Sequence, residues 1–316
     1  MTNTLRADLH VHTYHSRQCS TLPFLGSRDC YSSPAAVYLT AKARGMDLVA
    51  ITDHDTIGGA LELLEQRPDA ADVIVGEEVS CRFPNGDIEV HLGVYGMTES
   101  LHRELQPLRG NVFEVTGRLR AANVFFALNH LLHFYRGQTP LDDYFRLLDE
   151  VPALEARNGT MLPAHNALIE RIAVGWAPSE GASRLGTIGG SDAHTLRRIG
   201  RTWTSAPGRT RDDFLCSLRH GLGRPGGAHG GAGAIAGDAY GVVARYVASL
   251  AGFGPRDHRA WRRAACLIFS AVSLPFQFMP IVMAAAGKMR ERRHVERASA
   301  HGVTPRLAPL QEASRG

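Results

Sequence analysis

The feature that most constrains this chain is a recurring punctuation. Short apolar runs, each long enough for one strand, keep meeting histidines and carboxylates. Asp8-Leu9-His10-Val11-His12 lies in a run over residues 6–13. Thr52-Asp53-His54-Asp55 closes the run 48–52, and Gly76-Glu77-Glu78-Val79-Ser80 follows the apolar start of 73–83. Glu89-Val90-His91 opens 88–95, Asn129-His130 follows 124–128, and Gly190-Ser191-Asp192-Ala193-His194 follows 185–189. Five of these six sets fall at or just past the C-terminal end of an expected strand. Barrels of alternating strands and helices gather their active sites there. In an extended segment residues i and i+2 face the same way, so His10 and His12 can reach one ion. Taken singly, each set is more often a surface or structural feature; the series is the signal. Imidazole and carboxylate suit Zn, Mn or Fe. More ligands are present than one tetrahedral site needs, so two or three divalent ions are expected.

Between the strands the pattern turns helical. Ser33-Pro34 opens a helix that stops at Gly45, with Ser as N-cap and Pro at the first position. Residues 57–66, 141–150 and 164–174 read as helices, 153–157 as a strand, and Thr210 caps a last helix running to 220. A long helix over 99–122 is expected to break at Pro107. Pro84-Asn85-Gly86 predicts a hairpin turn. This rhythm predicts an α/β fold with a largely parallel sheet closed into a barrel, followed by a C-terminal helical appendage. The expected organisation is a barrel over 1–220, a Gly-rich linker over 221–239, a helical appendage over 240–298 and a disordered tail over 299–316. The glycines of 221–237 mimic a dinucleotide loop, but they follow a helix rather than a strand, so the context for that fingerprint is missing. No G-x-S-x-G elbow or P-loop is present.

Charge bounds the partners. The chain of 316 residues carries a formal +4. The segment from 288 to 316, with seven basic and three acidic residues, accounts for all of that excess. The basic balance therefore describes a tail, not a nucleic-acid-binding face on the main domain. The five cysteines are scattered and odd in number, which argues against a disulfide framework and for a reducing, cytoplasmic setting. The N-terminus has no apolar signal region. Residues 264–287 carry no charge over a length that could span a bilayer, but Pro275 and Pro280 interrupt them and basic residues flank both ends. Membrane contact through 264–287 is one expectation. Docking on the barrel or on a second copy as a homo-oligomer is the favoured one. Removing residues 240–316 is expected to leave metal content intact.

The ordered motif series resembles the polymerase and histidinol phosphatase (PHP) family over roughly residues 5–220. That resemblance implies a distorted (β/α)7 TIM-like barrel with a di- or trinuclear centre that hydrolyses phosphate esters. Carried over residue by residue, it implies His10, His12 and Asp192 on a first metal, Glu78 bridging, His91 and His130 on a second, and His54 and His194 on a third. Asp8 and Asp53 would orient imidazoles, with Asp53 and His194 serving catalysis. Arg198 and Arg201 are the candidates for holding a second phosphate, and Asn158 for touching substrate. His102, His133 and His165 lie outside the pattern and are expected to be structural or exposed. Where the family has an acidic residue or histidine shortly after the H-x-H pair, this chain has Arg17 and Gln18. The third site is therefore expected to be short of a ligand, or to recruit His15. The long stretch 18–31 is expected to act as a lid. The implied substrate is a small phosphorylated metabolite, a nucleotide or a nucleic-acid 5' end, in the manner of a 5'-3' exonuclease. The competing reading is a metal-binding but inactive regulatory or binding module, membrane-attached or oligomeric.

Overall fold

The computed structural model describes residues 3–16, 26–84, 88–133, 141–176, 184–253, 259–276 and 278–300. Its strands are β1 (Thr4–Asp8), β2 (Leu48–Ile51), β3 (Val73–Arg82), β4 (Glu89–Tyr95), β5 (Phe125–Asn129), β6 (Ala153–Asn158), β7 (Gly186–Gly190), β8 (Thr202–Pro207) and β9 (Arg224–Gly227). Around them lie α1 (Pro34–Ala43), α2 (Gly58–Gln66), α3 (Glu99–Leu105), α4 (Val112–Ala121), α5 (Leu141–Glu150), α6 (Pro163–Gly175) and α7 (Arg211–Arg219). The appendage adds α8 (Ala232–Leu250), α9 (Ala260–Val272) and α10 (Met279–Ala300).

Local chemistry sets the helix ends where the sequence placed them. The Ser33 side chain accepts from the Ala36 amide at the start of α1. Thr210 and Asp213 form a reciprocal capping box on α7. Pro107 sits in a 3-10 turn, Gln106–Leu108, that separates α3 from α4.

All nine strands share one sheet, in the order β7-β6-β5-β4-β3-β2-β1-β8-β9. The β1–β2, β2–β3, β5–β6 and β6–β7 pairs are parallel. The β3–β4, β4–β5, β1–β8 and β8–β9 pairs are antiparallel, so the sheet is more mixed than the expected largely parallel one. Its two ends nearly meet. Thr204 Oγ1 on β8 accepts from Gly189 N at 2.7 Å and lies 2.8 Å from Gly189 O on β7. Beyond the strand ends, His12 N donates to Ala193 O at 3.0 Å and Ala193 N to His10 O at 3.2 Å. One apolar cluster draws on β1 through β8, with Ala7, Leu48, Ile74, Tyr95, Phe125, Ala153, Ile188 and Ala206, and is joined by Phe214 and Leu218 of α7. This is a filled barrel interior, and it leaves the C-terminal strand ends for polar groups.

Three expectations are corrected. The strand expected over 6–13 stops at Asp8; beyond it Val11 O still accepts from Thr52 N past the end of β2 at 2.9 Å, while Val11 bridges to Ala193 past the end of β7. The Gly-rich stretch is not a plain linker: Arg224–Gly227 pairs with β8, and α8 begins at Ala232. Its glycines are needed for contact, since a Cβ on Gly226 or Gly227 would run into Trp203. Finally, the expectation of membrane attachment through 264–287 fails. Among the described residues no helix is long and apolar enough to cross a membrane, because the segment divides into the end of α9, a 3-10 turn at Leu274–Phe276 and the start of α10. The turn expected at Pro84-Asn85-Gly86, most of the lid stretch 18–31 and most of the tail after 298 lie outside the described residues.

Gly190 tests the closure. A Cβ there would press on the His10 backbone nitrogen and Cβ. We expect Gly190→Ala to lower stability by about 1–3 kcal/mol through overpacking, read as a fall in Tm. An unchanged Tm would show that β7 and the segment after β1 are not in contact.

Candidate metal centre

Strand alternation decides which carboxylate of Glu77-Glu78 enters the site. Glu78 points to the barrel axis, while Glu77 points outward to His102 Nδ1 at 2.8 Å and Gln106 Nε2 at 3.3 Å. Four imidazoles meet Glu78 from four different segments. His10 Nε2 and His54 Nδ1 lie 3.1 and 3.0 Å from Oε2, and His91 Nδ1 and His130 Nε2 lie 3.1 and 3.0 Å from Oε1. Asp192 completes the other side: its Oδ1 is 3.6 Å from His10 Nε2, 3.5 Å from His12 Nε2 and 3.6 Å from His194 Nδ1. His130 and Asp192 both hold φ in the left-handed region, at 28° and 51°. Non-glycine residues held there concentrate at functional sites.

The donor chemistry asks for cations. Among the described residues, His10 Nε2, His12 Nε2, His54 Nδ1 and Glu78 Oε2 are buried without a hydrogen-bond partner, although their distances are short. They aim at shared points rather than at one another's protons. Four overlapping triads place their ligand atoms within 4.8 Å of one another: His10, His12 and Asp192; His10, Glu78 and His130; His54, Glu78 and His91; and His12, His54 and His194. Glu78 belongs to two of them, which fits a bridging carboxylate. The residues present therefore fit two or three divalent ions with nitrogen and oxygen ligands.

Burial and charge oppose each other here. Burial alone would raise the Glu78 carboxyl, but His10, His91 and His54 together hold it well below the usual range. Burial lowers His12 to about 4, with His194 adding to the effect, and takes His54 well below its ordinary value. Both are thus neutral ligands at neutral pH. Burial would also lower His91, yet Glu78 and Glu89 raise it to about 9. Against burial, Glu78, Glu155 and Asp192 raise His10 well above its ordinary value.

The supporting groups differ in part from those expected. Glu155 on β6, not singled out in the sequence, receives His10 Nδ1 at 2.9 Å on one oxygen and the His130 amide at 3.1 Å on the other. Its signal was the lone acid of β6, buried between Leu154 and Ala156. Asp29 supplies the carboxylate expected to be missing from the third site, 3.7 Å from His54 Nε2 and 3.9 Å from His194 Nε2. Sequence reasoning missed it because it comes a dozen residues later than the motif. His15 is not recruited; its Nε2 pairs with Glu62 at 2.6 Å. Asp53 does not face the cluster. It accepts from Thr13 N, Thr13 Oγ1 and Ser16 Oγ, and Ser16 in turn meets His12 Nδ1 at 3.0 Å. Asp8 likewise holds backbone, accepting from Ser191 N and Gly200 N.

Neither arginine is placed to take a phosphate. Arg198 is buried, donates to Gly159 O and lies 3.5 Å from Asp238, while Arg201 is exposed and donates to Arg197 O. Asn158 is buried between Glu155 Oε2 and Asp192 Oδ2 rather than open to substrate. His102 pairs with Glu77, and His133 lies edge-on to His130. His165 is fully buried on α6, with neither ring nitrogen hydrogen-bonded.

Comparison with known proteins agrees with the resemblance read from the motifs. Residues 182–222, which carry Asp192 and His194, match the family described as PHP-associated. An uncharacterized protein of Methanocaldococcus jannaschii is 34% identical over 76 residues, 24% of this chain and 44% of that protein. Among solved structures, a two-domain protein from Bacteroides vulgatus, described as containing a predicted PHP-like metal-dependent phosphoesterase, is similar with a TM-score of 0.50 and 16% identity. That match covers 72% of this chain and 66% of the other. A lesion-specific endonuclease of Pyrococcus furiosus gives a TM-score of 0.44 and 16% identity, over 70% of this chain and 56% of the other. The aligned part thus spans less than two thirds of each of these proteins. The chain is PHP-like in motif order and in fold.

Two outcomes follow from the ligand set. Glu78 serves two triads, so Glu78→Gln is expected to remove more than one ion per chain by elemental analysis; loss of a single ion would refute the bridging role. In the metal-free protein His10 and His91 hold protons at pH 7, and a metal-bound imidazole nitrogen cannot. Metal binding is therefore expected to release protons at pH 7 and to tighten as pH rises toward about 9, where His91 titrates. Calorimetric titration of Mn²⁺ in two buffers of different ionisation enthalpy measures the release. Heats independent of buffer would contradict the assignment.

Proposed function

We propose that the protein is a metal-dependent phosphoesterase that hydrolyses a small phosphorylated metabolite or nucleotide. The observation that carries this reading is the convergence of the orphaned nitrogen and oxygen atoms on points shared through Glu78. Divalent ions held there would activate water at neutral pH and neutralise phosphoryl oxygens. The chain's own residues supply the rest. Glu78 and Asp192, both held ionised, provide the negative charge that keeps cations in a buried place. Glu155 fixes the His10 ring and the His130 backbone, and Ser16 fixes His12, so the ligand atoms need little rearrangement on binding. His10, His12 and Glu78 are almost wholly excluded from solvent, which strengthens every charge interaction at the centre.

His194 lies at the edge of the cluster, with 26% of its side chain exposed. Burial would lower it, but Asp29 and Asp192 raise it above its ordinary value, which favours the protonated form. That is the form a general acid toward the leaving oxygen of the ester needs, wherever this imidazole is not a ligand. The main domain's lack of net positive charge favours a small substrate over a long nucleic acid, whose binding relies on phosphate neutralisation. With Arg198 and Arg201 otherwise engaged, ions held by these ligands would supply positive charge for the phosphoryl oxygens.

The test is direct. Protein loaded with Mn²⁺ is expected to hydrolyse a generic aryl phosphate, and His10→Ala is expected to abolish this. A single-stranded oligonucleotide with a 5' phosphate, offered alongside, distinguishes a nucleic-acid end as substrate. Metal-loaded protein that is inert on a broad phosphoester panel, yet binds one member tightly, would replace this reading with that of a binding module.

A further inference from the structure

Asp192 uses its two oxygens differently. Oδ1 faces the three histidines, while Oδ2 is held from behind by Thr160 Oγ1 at 2.9 Å and Asn158 Nδ2 at 3.3 Å. Thr160 belongs to the short loop between β6 and α6. Such a loop can hold a ligand in place only as firmly as it is held itself. Asn158 Oδ1 accepts from Thr160 N at 2.7 Å and, also at 2.7 Å, shares the single Thr160 hydroxyl proton with Asp192 Oδ2. The barrel adds Gly159 N to Gly190 O at 2.9 Å and Arg198 to Gly159 O, and further restraints come from the C-terminal region. Lys288 Nζ on α10 donates to Thr160 O at 2.5 Å and pairs with Glu291 Oε2 at 2.5 Å. Glu291 Oε1 then accepts from Leu162 N at 2.7 Å. Between those two grips, Gly230 N donates to Met161 O at 2.7 Å, and a Cβ on Gly230 would collide with the Thr160 backbone.

We propose that Lys288 and Glu291 of α10 are positioning residues for the ligand Asp192, acting through Thr160. The C-terminal extension is then part of the centre's support, not a separate appendage. The side chains of Lys288 and Glu291 are only 14% and 11% exposed. A largely buried ion pair contributes little net stability, but losing one partner strands the other. Here the loss of Lys288 would free Thr160 O directly and leave Glu291, which holds Leu162 N, without its counter-charge. The proposal rests on the reading of Asp192 as a ligand, and it reverses the expectation that residues 240–316 can be removed without loss of metal. The rival account is that the pair only docks α10 on the barrel.

A double-mutant cycle in the full-length chain separates the two accounts. Mn²⁺ affinity is measured by calorimetry for the wild type, Thr160→Val, Lys288→Met and the double variant, with the Tm of the metal-free proteins as a check on folding. Removing outer partners of this kind typically costs about 10–100-fold in metal affinity. We expect each single variant to lose that much at one ion. The double variant should lose no more than the worse single one, because both act on the same carboxylate. Lys288→Arg should restore most of the affinity. Three results would overturn the proposal: wild-type affinity in Lys288→Met, losses that simply add in the double variant, or failure of Lys288→Met to fold. If the wild type itself takes up no Mn²⁺, the metal centre fails, which is a different outcome from variants that bind as the wild type does.

Discussion

Everything in this structure depends on burying one carboxylate among histidines. Glu78 is excluded from water and lies about a hydrogen-bond length from four imidazoles. Such a group is costly to bury unless charge is balanced and each polar atom has a partner. The protein balances part of it with raised imidazoles at His10 and His91, and leaves the rest as inward atoms in an arrangement that suits cations. The barrel serves this arrangement. Its lower interior is filled by apolar side chains from eight strands, and the histidines and carboxylates gather at the C-terminal ends.

Rigidity is supplied one layer out. Asp8 and Asp53 act on backbone: the first ties the segment after β7 and the turn at Gly200, the second ties Thr13 and Ser16. Glu155 binds two ligands at once. Close backbone approach does the same work without side chains, as at Gly190 against His10 and Gly230 against Thr160. The ligands therefore need little reorganisation when ions bind, which is the condition for charge stabilisation in a reaction.

The C-terminal region shows how far composition alone can carry. An uncharged stretch near 24 residues suggested a bilayer, but Pro275 and Pro280 divide it between two helices. Its apolar side chains, among them Ile268, Val272, Phe276 and Ile281, remain exposed. At the other end of α10, charged side chains reach the barrel and hold a loop. Polarity thus divides α10 between an apolar start and a charged face against the β6–α6 loop.

The sequence by itself determined the ligands that sit on strand ends, because strand periodicity fixes their direction. His10, His12, His54, Glu78, His91, His130, Asp192 and His194 were named from short motifs through the resemblance they carry, and the alternation along β3 agrees by turning Glu78 inward and Glu77 out to His102. Helix starts at Ser33 and Thr210 were legible for the same local reason. Only the tertiary structure decided the rest. Asp29 reaches His54 and His194 through a loop whose path no period encodes, and Arg198 turned to Gly159 rather than to the mouth. The strands β8 and β9, and the grip of Lys288 on Thr160, join residues far apart in the chain. Local pattern specifies which way a side chain points on its own element; it does not specify which distant backbone group will be waiting there.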